Sequence, residues 1–124
     1  MKDVNERTGA ARACPGVPGR LGELKPTDAV IFGVGAHVSV QQTVFDLLAM
    51  GCNVHLCVDA VSAQQQVDRS AGLRRAERAG ALLTSTESVL MELIRAKEHE
   101  SFKAISGILK ETKSCVVGEV GLAF

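Results

Sequence analysis

A serine hydroxyl, two histidines and an aspartate are the groups on this chain whose placement invites chemistry. Ser39 follows Gly33-Val34-Gly35-Ala36-His37-Val38, a glycine-rich break between an apolar run and a segment of helical periodicity. A serine hydroxyl becomes a nucleophile only when a base takes its proton. His37 is too near in sequence to turn back onto Ser39, so no base is evident. The plainer role for Ser39 is to cap the helix, accepting a hydrogen bond from a free amide of the first turn. Asp59 ends a second apolar segment, and the carboxyl ends of strands are where α/β proteins gather their sites. Capping or stiffening the loop is an equally open role for it. His55 alternates with Val54 and Leu56 and reads as a satisfied or exposed strand residue. His99 lies in a polar linker and reads as solvated.

Alternating strands and helices must position these groups. Ala29 to Phe32 is a continuous apolar run, the pattern of a parallel strand buried on both faces, and the strand is expected over about Ala29–Val34. Gly33 and Gly35 permit the tight turn that follows. A first helix is expected over Ser39–Met50, ending at Gly51 in a left-handed conformation. Asn53–Asp59 reads as the second strand, Ser62–Gln66 as a polar loop, and Val67–Ala79 as a helix closed by Gly80. That helix has a thin apolar face of Val67, Ala71 and Ala76, while Arg69, Arg74, Arg75 and Arg78 form a solvated face. Ala81–Thr84 is the third strand, and Thr84-Ser85-Thr86-Glu87 has the spacing of a capping box. Helices are expected from there through Ile94 and over Ser101–Glu111, the latter carrying Phe102, Ile105, Ile108 and Leu109. The alternation implies a parallel sheet with helical crossovers, a three-layer Rossmann-like α/β fold of about three parallel strands.

Composition narrows the classes. The 124 residues allow one domain, and 46% apolar content with 3% aromatic residues gives it an aliphatic core. Residues 1–22, rich in Gly, Arg, Ala and Pro, read as disordered or loosely attached, residues 23–111 as the domain, and residues 112–124 as a tail. Lys plus Arg equals Asp plus Glu at 14 each, which offers no argument for nucleic acid or an acidic membrane as partner. Cys14, Cys52, Cys57 and Cys115 show neither a CxxC motif nor a histidine at ligand spacing, so no metal site, cofactor or disulfide framework is expected. Cys52 and Cys57 read as buried thiols. Reduced cysteines, no apolar run of the ~18 residues that span a bilayer, and no signal sequence point to a cytoplasmic location.

The segment from Gly33 to Thr43 resembles the nucleophile turn of the isochorismatase-like hydrolases of the cysteine hydrolase superfamily, whose members usually read Gly-(Ile/Val)-x-Thr-x-x-Cys-(Val/Ile). The resemblance continues through Val54-His55-Leu56-Cys57-Val58-Asp59-Ala60, Gln66-Val67-Asp68-Arg69 and Leu83-Thr84-Ser85-Thr86-Glu87 to Phe102-Lys103-Ala104-Ile105. It covers roughly Leu24 to Lys110 and is nearest to the isochorismatase domain-containing proteins of eukaryotes. It implies a six-stranded doubly wound domain of which this sequence matches the second half. It also implies hydrolysis by a cysteine thiolate, with an aspartate base and a lysine supplied by strands outside this sequence.

Ser39 stands at the cysteine's position and Ala36 at the threonine's. The resemblance further implies an oxyanion hole from the amides of Gly35 and Ser39, with a cis Val34–Gly35 bond, a costly geometry of ~3 kcal/mol. Such a turn without a nucleophile still suits an anion. Ser39, Val34, Gly35, Ala36, His37 and Asp59 are therefore the candidate site residues. Three functions follow. One is an isochorismatase-like hydrolase domain protein that is truncated and catalytically incompetent alone. Another is a non-catalytic interaction module, pairing the Ala29–Val34 strand with a second copy or a full-length relative. The last is an incomplete reading frame of an active hydrolase.

Overall fold

Three parallel strands in one sheet, placed side by side in sequence order with the second in the middle, organise the described residues. The computed structural model describes residues 17–114. Helix α1 (Val17–Leu24) precedes β1 (Asp28–Val34), which leads through a π-turn (Ala36–Val40) into α2 (Gln41–Ala49). There follow β2 (Asn53–Ser62), α3 (Gln66–Ala79), β3 (Leu82–Thr84), α4 (Thr86–Ile94) and α5 (Phe102–Ser114). The expected α/β alternation and parallel pairing are both present, and the order along the sheet is β1-β2-β3.

The core lies on one face of the sheet. Val54, Leu56 and Val58 of β2 point into it, alternating with His55 and Cys57, which face the other way. Val44 and Leu47 of α2, together with Leu73 and Ala76 of α3, cover it, so both crossover helices share that face. On the opposite face α4 packs against β2 and buries Val89 and Ile94, and α5 touches α4. Gly51 at φ 81° and Gly80 at φ 117° end α2 and α3 in left-handed conformations, as expected for helices stopped by glycine.

Several expectations need correction. The Ala29–Val34 run is not buried on both faces. Ala29 and Ile31 pack on the core, while Val30, Phe32 and Val34 are exposed, Phe32 at 70% and Val34 at 79%. Among the described residues an edge position with no helix over that part of the second face leaves the row uncovered, so an apolar run alone does not report two-sided burial. The buried face of α3 is Arg69, Gly72, Leu73 and Ala76, and Val67 and Ala71 are exposed. The capping residue of α4 is Ser85, whose hydroxyl accepts from the Ser88 amide at 3.2 Å, one position later than Thr84 would place it.

The chain before the first strand is helical from Val17, and Leu21 packs against the core. At the other end α5 extends to Ser114, three residues past the expected Glu111. Residues 1–16 and the rest of the tail, 115–124, with Cys14 and Cys115, lie outside the described residues.

Candidate functional site

The turn after β1 is built by two glycines. The β1–β2 register shifts between Ile31 and Gly33, where Gly33 takes φ 144°, and Gly35 follows at φ 86°. Gly35 donates its amide to the Ser62 carbonyl at the far end of β2, 2.9 Å away. Its carbonyl accepts the amides of Val38 at 3.0 Å and Val40 at 3.1 Å, the second being the wide i→i+5 bond of a π-turn. The helix therefore starts at Ala36, three residues earlier than the spacing suggests, and tightens to α geometry at Gln41.

Ser39 consequently does not cap. It lies inside the helical turn, half-buried, and its carbonyl accepts the Thr43 hydroxyl at 2.8 Å. Among the described residues no histidine or carboxylate hydrogen-bonds its hydroxyl. His37 instead faces Asp68 of α3, with Nε2 3.9 Å from a carboxylate oxygen. The expected oxyanion hole needs the same correction. No peptide bond among the described residues is cis, so Val34–Gly35 is trans, and the Gly35 amide is already occupied by Ser62. Val34 is exposed at the strand end, whereas Ala36 is buried beneath α3.

Helix α3 approaches that turn closely. A Cβ on Gly72 would fall 2.7 Å from the Ala36 carbonyl oxygen and 3.0 Å from the His37 Cα, so no side chain fits there. Three residues before Gly72, Arg69 turns inward and is 5% exposed. Its Nε donates to the Val61 carbonyl at 2.9 Å, and one Nη donates to the Val58 carbonyl. This overturns the solvated role read for Arg69. The other Nη and the Nδ1 of His37 are buried without a hydrogen-bond partner. Arg75 lies over the Phe45 ring, 5.6 Å from its centroid, and Arg74 and Arg78 are exposed as expected. The spacing of Arg69, Gly72, Leu73 and Ala76 is that of one helix face, i, i+3, i+4, i+7. That spacing was the available signal for an inward arginine.

Arg69 holds the two carbonyls that bracket Asp59. The Asp59 carboxylate accepts both the amide and the hydroxyl of Thr86, at 2.8 and 3.1 Å, and so ties the end of β2 to the start of α4. Of the two roles open to Asp59, the geometry is that of a helix cap. Beneath it Cys57 is buried, and burial pushes its thiol up; the same holds for Cys52. At the amino end of the sheet the His55 Nε2 lies 3.2 Å from the Asp28 carboxylate, and that hydrogen bond holds the Asp28 carboxyl below its ordinary value. His99 is exposed and accepts the Ser101 amide.

The candidates thus separate. Val34, Gly35, Ala36, His37 and Ser39 share the turn, while Asp59 belongs to the β2–α4 junction. A shallow depression beside α4, lined by Ser88, Met91, Glu92 and Arg95, includes none of them. Among the described residues no three His, Cys, Asp or Glu side chains cluster to hold a metal ion, and no helix is long and apolar enough to cross a membrane.

A parallel sheet whose glycine turn delivers a helix at the strand's carboxyl end defines an α/β domain with helical crossovers. The isochorismatase domain family matches residues 6–88, and the chain belongs to that family. It is similar to isochorismatase domain-containing protein 1 of Danio rerio, with 39% identity over 110 residues, 88% of this chain and 39% of the relative. Isochorismatase family protein 1B of Dictyostelium discoideum is 38% identical over 94 residues, 76% of this chain and 46% of the relative. The chain therefore spans less than half the length of these relatives. Among solved structures, the MAR1 ribonuclease of Caenorhabditis elegans superposes with a TM-score of 0.73 at 33% identity, covering 90% of this chain and 55% of that one. A Trypanosoma cruzi protein gives 0.69 at 27% identity, covering 78% and 51%.

Proposed function

We propose that this chain is an isochorismatase-like domain protein that does not run the family's hydrolysis by itself. The carrying observation is that no histidine or carboxylate among the described residues hydrogen-bonds the hydroxyl of Ser39, which by resemblance stands at the family's cysteine position. A serine with nothing to take its proton lacks the general-base assistance that contributes roughly 100-fold or more to such reactions. The Gly35 amide, donated to Ser62, supports the same reading, because it is not free to meet a developing oxyanion. Free thiols at Cys52 and Cys57 support a reducing, cytosol-type compartment.

The test is hydrolysis of nicotinamide, isochorismate and simple amides by the purified chain, beside a Ser39→Ala variant. Rates equal to background in both are expected. Turnover that disappears with Ser39→Ala would make Ser39 a working nucleophile and defeat the proposal.

A second reading is favoured by β1. Its outer edge is without a strand neighbour among the described residues, and Val30, Phe32 and Val34 form an exposed apolar row beside it. Such an edge pairs readily with another strand, which suits an interaction module that works through β1.

A further inference from the structure

We propose that a buried water joins the free Nη of Arg69 to Nδ1 of His37, inside the contact between α3 and the π-turn, with the ring proton of His37 held on Nε2 toward Asp68.

The two orphaned atoms belong to one junction. His37 starts where α3 comes closest to the turn, its Cα 3.0 Å from the place a Gly72 Cβ would take. Its Nε2 ends 3.9 Å from a carboxylate oxygen of Asp68, which lies one helical turn before Gly72. The imidazole therefore runs along α3 past Arg69, which shares the buried face of Gly72 and reaches inward to Val61 and Val58. Nδ1 of that ring and one Nη of that guanidinium are buried with no hydrogen-bond partner among the described residues. Buried polar atoms in folded proteins are paired with protein or with ordered water in the great majority of cases.

The chemistry of the two atoms selects what pairs them. The guanidinium only donates. Nε2 faces a carboxylate, where a bare lone pair would meet negative charge, so Nε2 carries the proton and Nδ1 of the neutral ring accepts. A group between them must accept on one side and donate on the other, which a water does. An anion would accept from Arg69 and offer Nδ1 nothing. Both atoms are closed to solvent, so what meets them has to fit inside the contact, and a single water satisfies both. With both ring nitrogens engaged, neither is free to take the Ser39 proton.

Two readouts on the purified full chain test this without any turnover, so the hydrolysis assay stands or falls separately. Long-range proton–nitrogen correlation of the nitrogen-15-labelled histidine rings, at about pH 8 and above the ordinary histidine value, should show His37 protonated on Nε2 and bare on Nδ1. Relaxation dispersion of oxygen-17 water counts long-lived internal waters, and His37→Phe and Arg69→Met should each lose one relative to the parent, with circular dichroism checking that the variant is folded. The tautomer is read in the parent, so it decides even where a variant fails to fold. A parent ring protonated on Nδ1, or an unchanged water count in a folded variant, would overturn the proposal. A shift of the His37 ring nitrogens on adding chloride to a chloride-free sample would put an ion in the contact and overturn it equally.

Discussion

Gly72 of α3 lies against Ala36 so closely that a single added methyl would sit 2.7 Å from the Ala36 carbonyl oxygen. The obstacle is backbone on both sides, so a flexible side chain cannot yield to make room. The contact fixes α3 against the π-turn that carries His37 and Ser39. Gly72→Ala is therefore expected to destabilise the fold by about 1–3 kcal/mol, as overpacking does, despite alanine's better helix propensity. Gly107, within α5, is the contrasting case, since a methyl added there would meet no atom within 4 Å. Gly107→Ala should be neutral or stabilising by up to about 1 kcal/mol. Urea unfolding of the two variants against the parent checks the contrast.

Arg69 supplies the second prediction. Its guanidinium reaches two carbonyls of β2 at once, and a lysine ammonium on a flexible stem has no such fork. Arg69→Lys should leave Val58 or Val61 without its donor and cost about 1–3 kcal/mol. Thermal unfolding followed by circular dichroism measures it, with exposed Arg74→Lys as the neutral control.

The fold was largely legible because the signals that set it are local: an apolar run, glycines at both helix ends, and strands alternating with helices. The site was less so. Arg69, Asp68 and the other arginines read as one polar stretch, and only their phase relative to Gly72, Leu73 and Ala76 separates the buried guanidinium from the solvated ones. Ser39 suits a helix start by type, yet the Gly35 carbonyl takes the Val40 amide and begins the helix at Ala36 instead. Which residue starts a helix depends there on backbone bonding after a left-handed glycine, which residue type does not report. The exposure of Phe32 depended on what covers the second face of the sheet, and that is a property of neighbours rather than of β1.

The Asp28–His55 pair sets a pH dependence. The hydrogen bond from His55 lowers the Asp28 pKa in the folded state relative to the unfolded chain. A depressed carboxyl pKa stabilises the fold above the unfolded value, about 3.9, and that contribution is lost as pH falls through the lower folded value. Stability should thus decline on acidification below the ordinary aspartate range. In an NMR titration the Asp28 carboxyl carbon should titrate below a free aspartate, and His55→Phe should move it back up. An Asp28 midpoint unmoved by His55→Phe would show that the pair does not form in solution.

Asp59 makes a prediction of its own. One carboxylate oxygen accepts two hydrogen bonds from Thr86, at 2.8 and 3.1 Å, at the first residue of α4. Asp59→Ala should cost about 0.5–2 kcal/mol, the range for losing a capping side chain. Asp59→Asn retains an acceptor oxygen and should cost less. Hydrogen exchange at the Thr86 amide resolves the effect locally, and protection unchanged in Asp59→Ala would remove the cap from the account.

Ser39→Cys separates reactivity from catalysis. The substitution puts a thiol on the first helical turn, where the dipole and nearby amides favour a thiolate. Ser39 is half-buried, whereas Cys52 and Cys57 are 5% and 3% exposed and burial holds both thiols in the neutral form. In a Cys14→Ser, Cys115→Ser background the new thiol should therefore alkylate with iodoacetamide at least tenfold faster than either native cysteine. Amide hydrolysis should nevertheless stay at background, because thiolate formation is local to this turn and proton transfer to a leaving group is not. His37 cannot supply the proton as placed, since it faces Asp68 across 3.9 Å. The Gly35 amide remains bonded to Ser62 and offers no oxyanion donor. Labelling no faster than Cys52 and Cys57 would mean that the π-turn does not present position 39 to solvent. Turnover gained by Ser39→Cys would mean that this chain supplies its own acid and base.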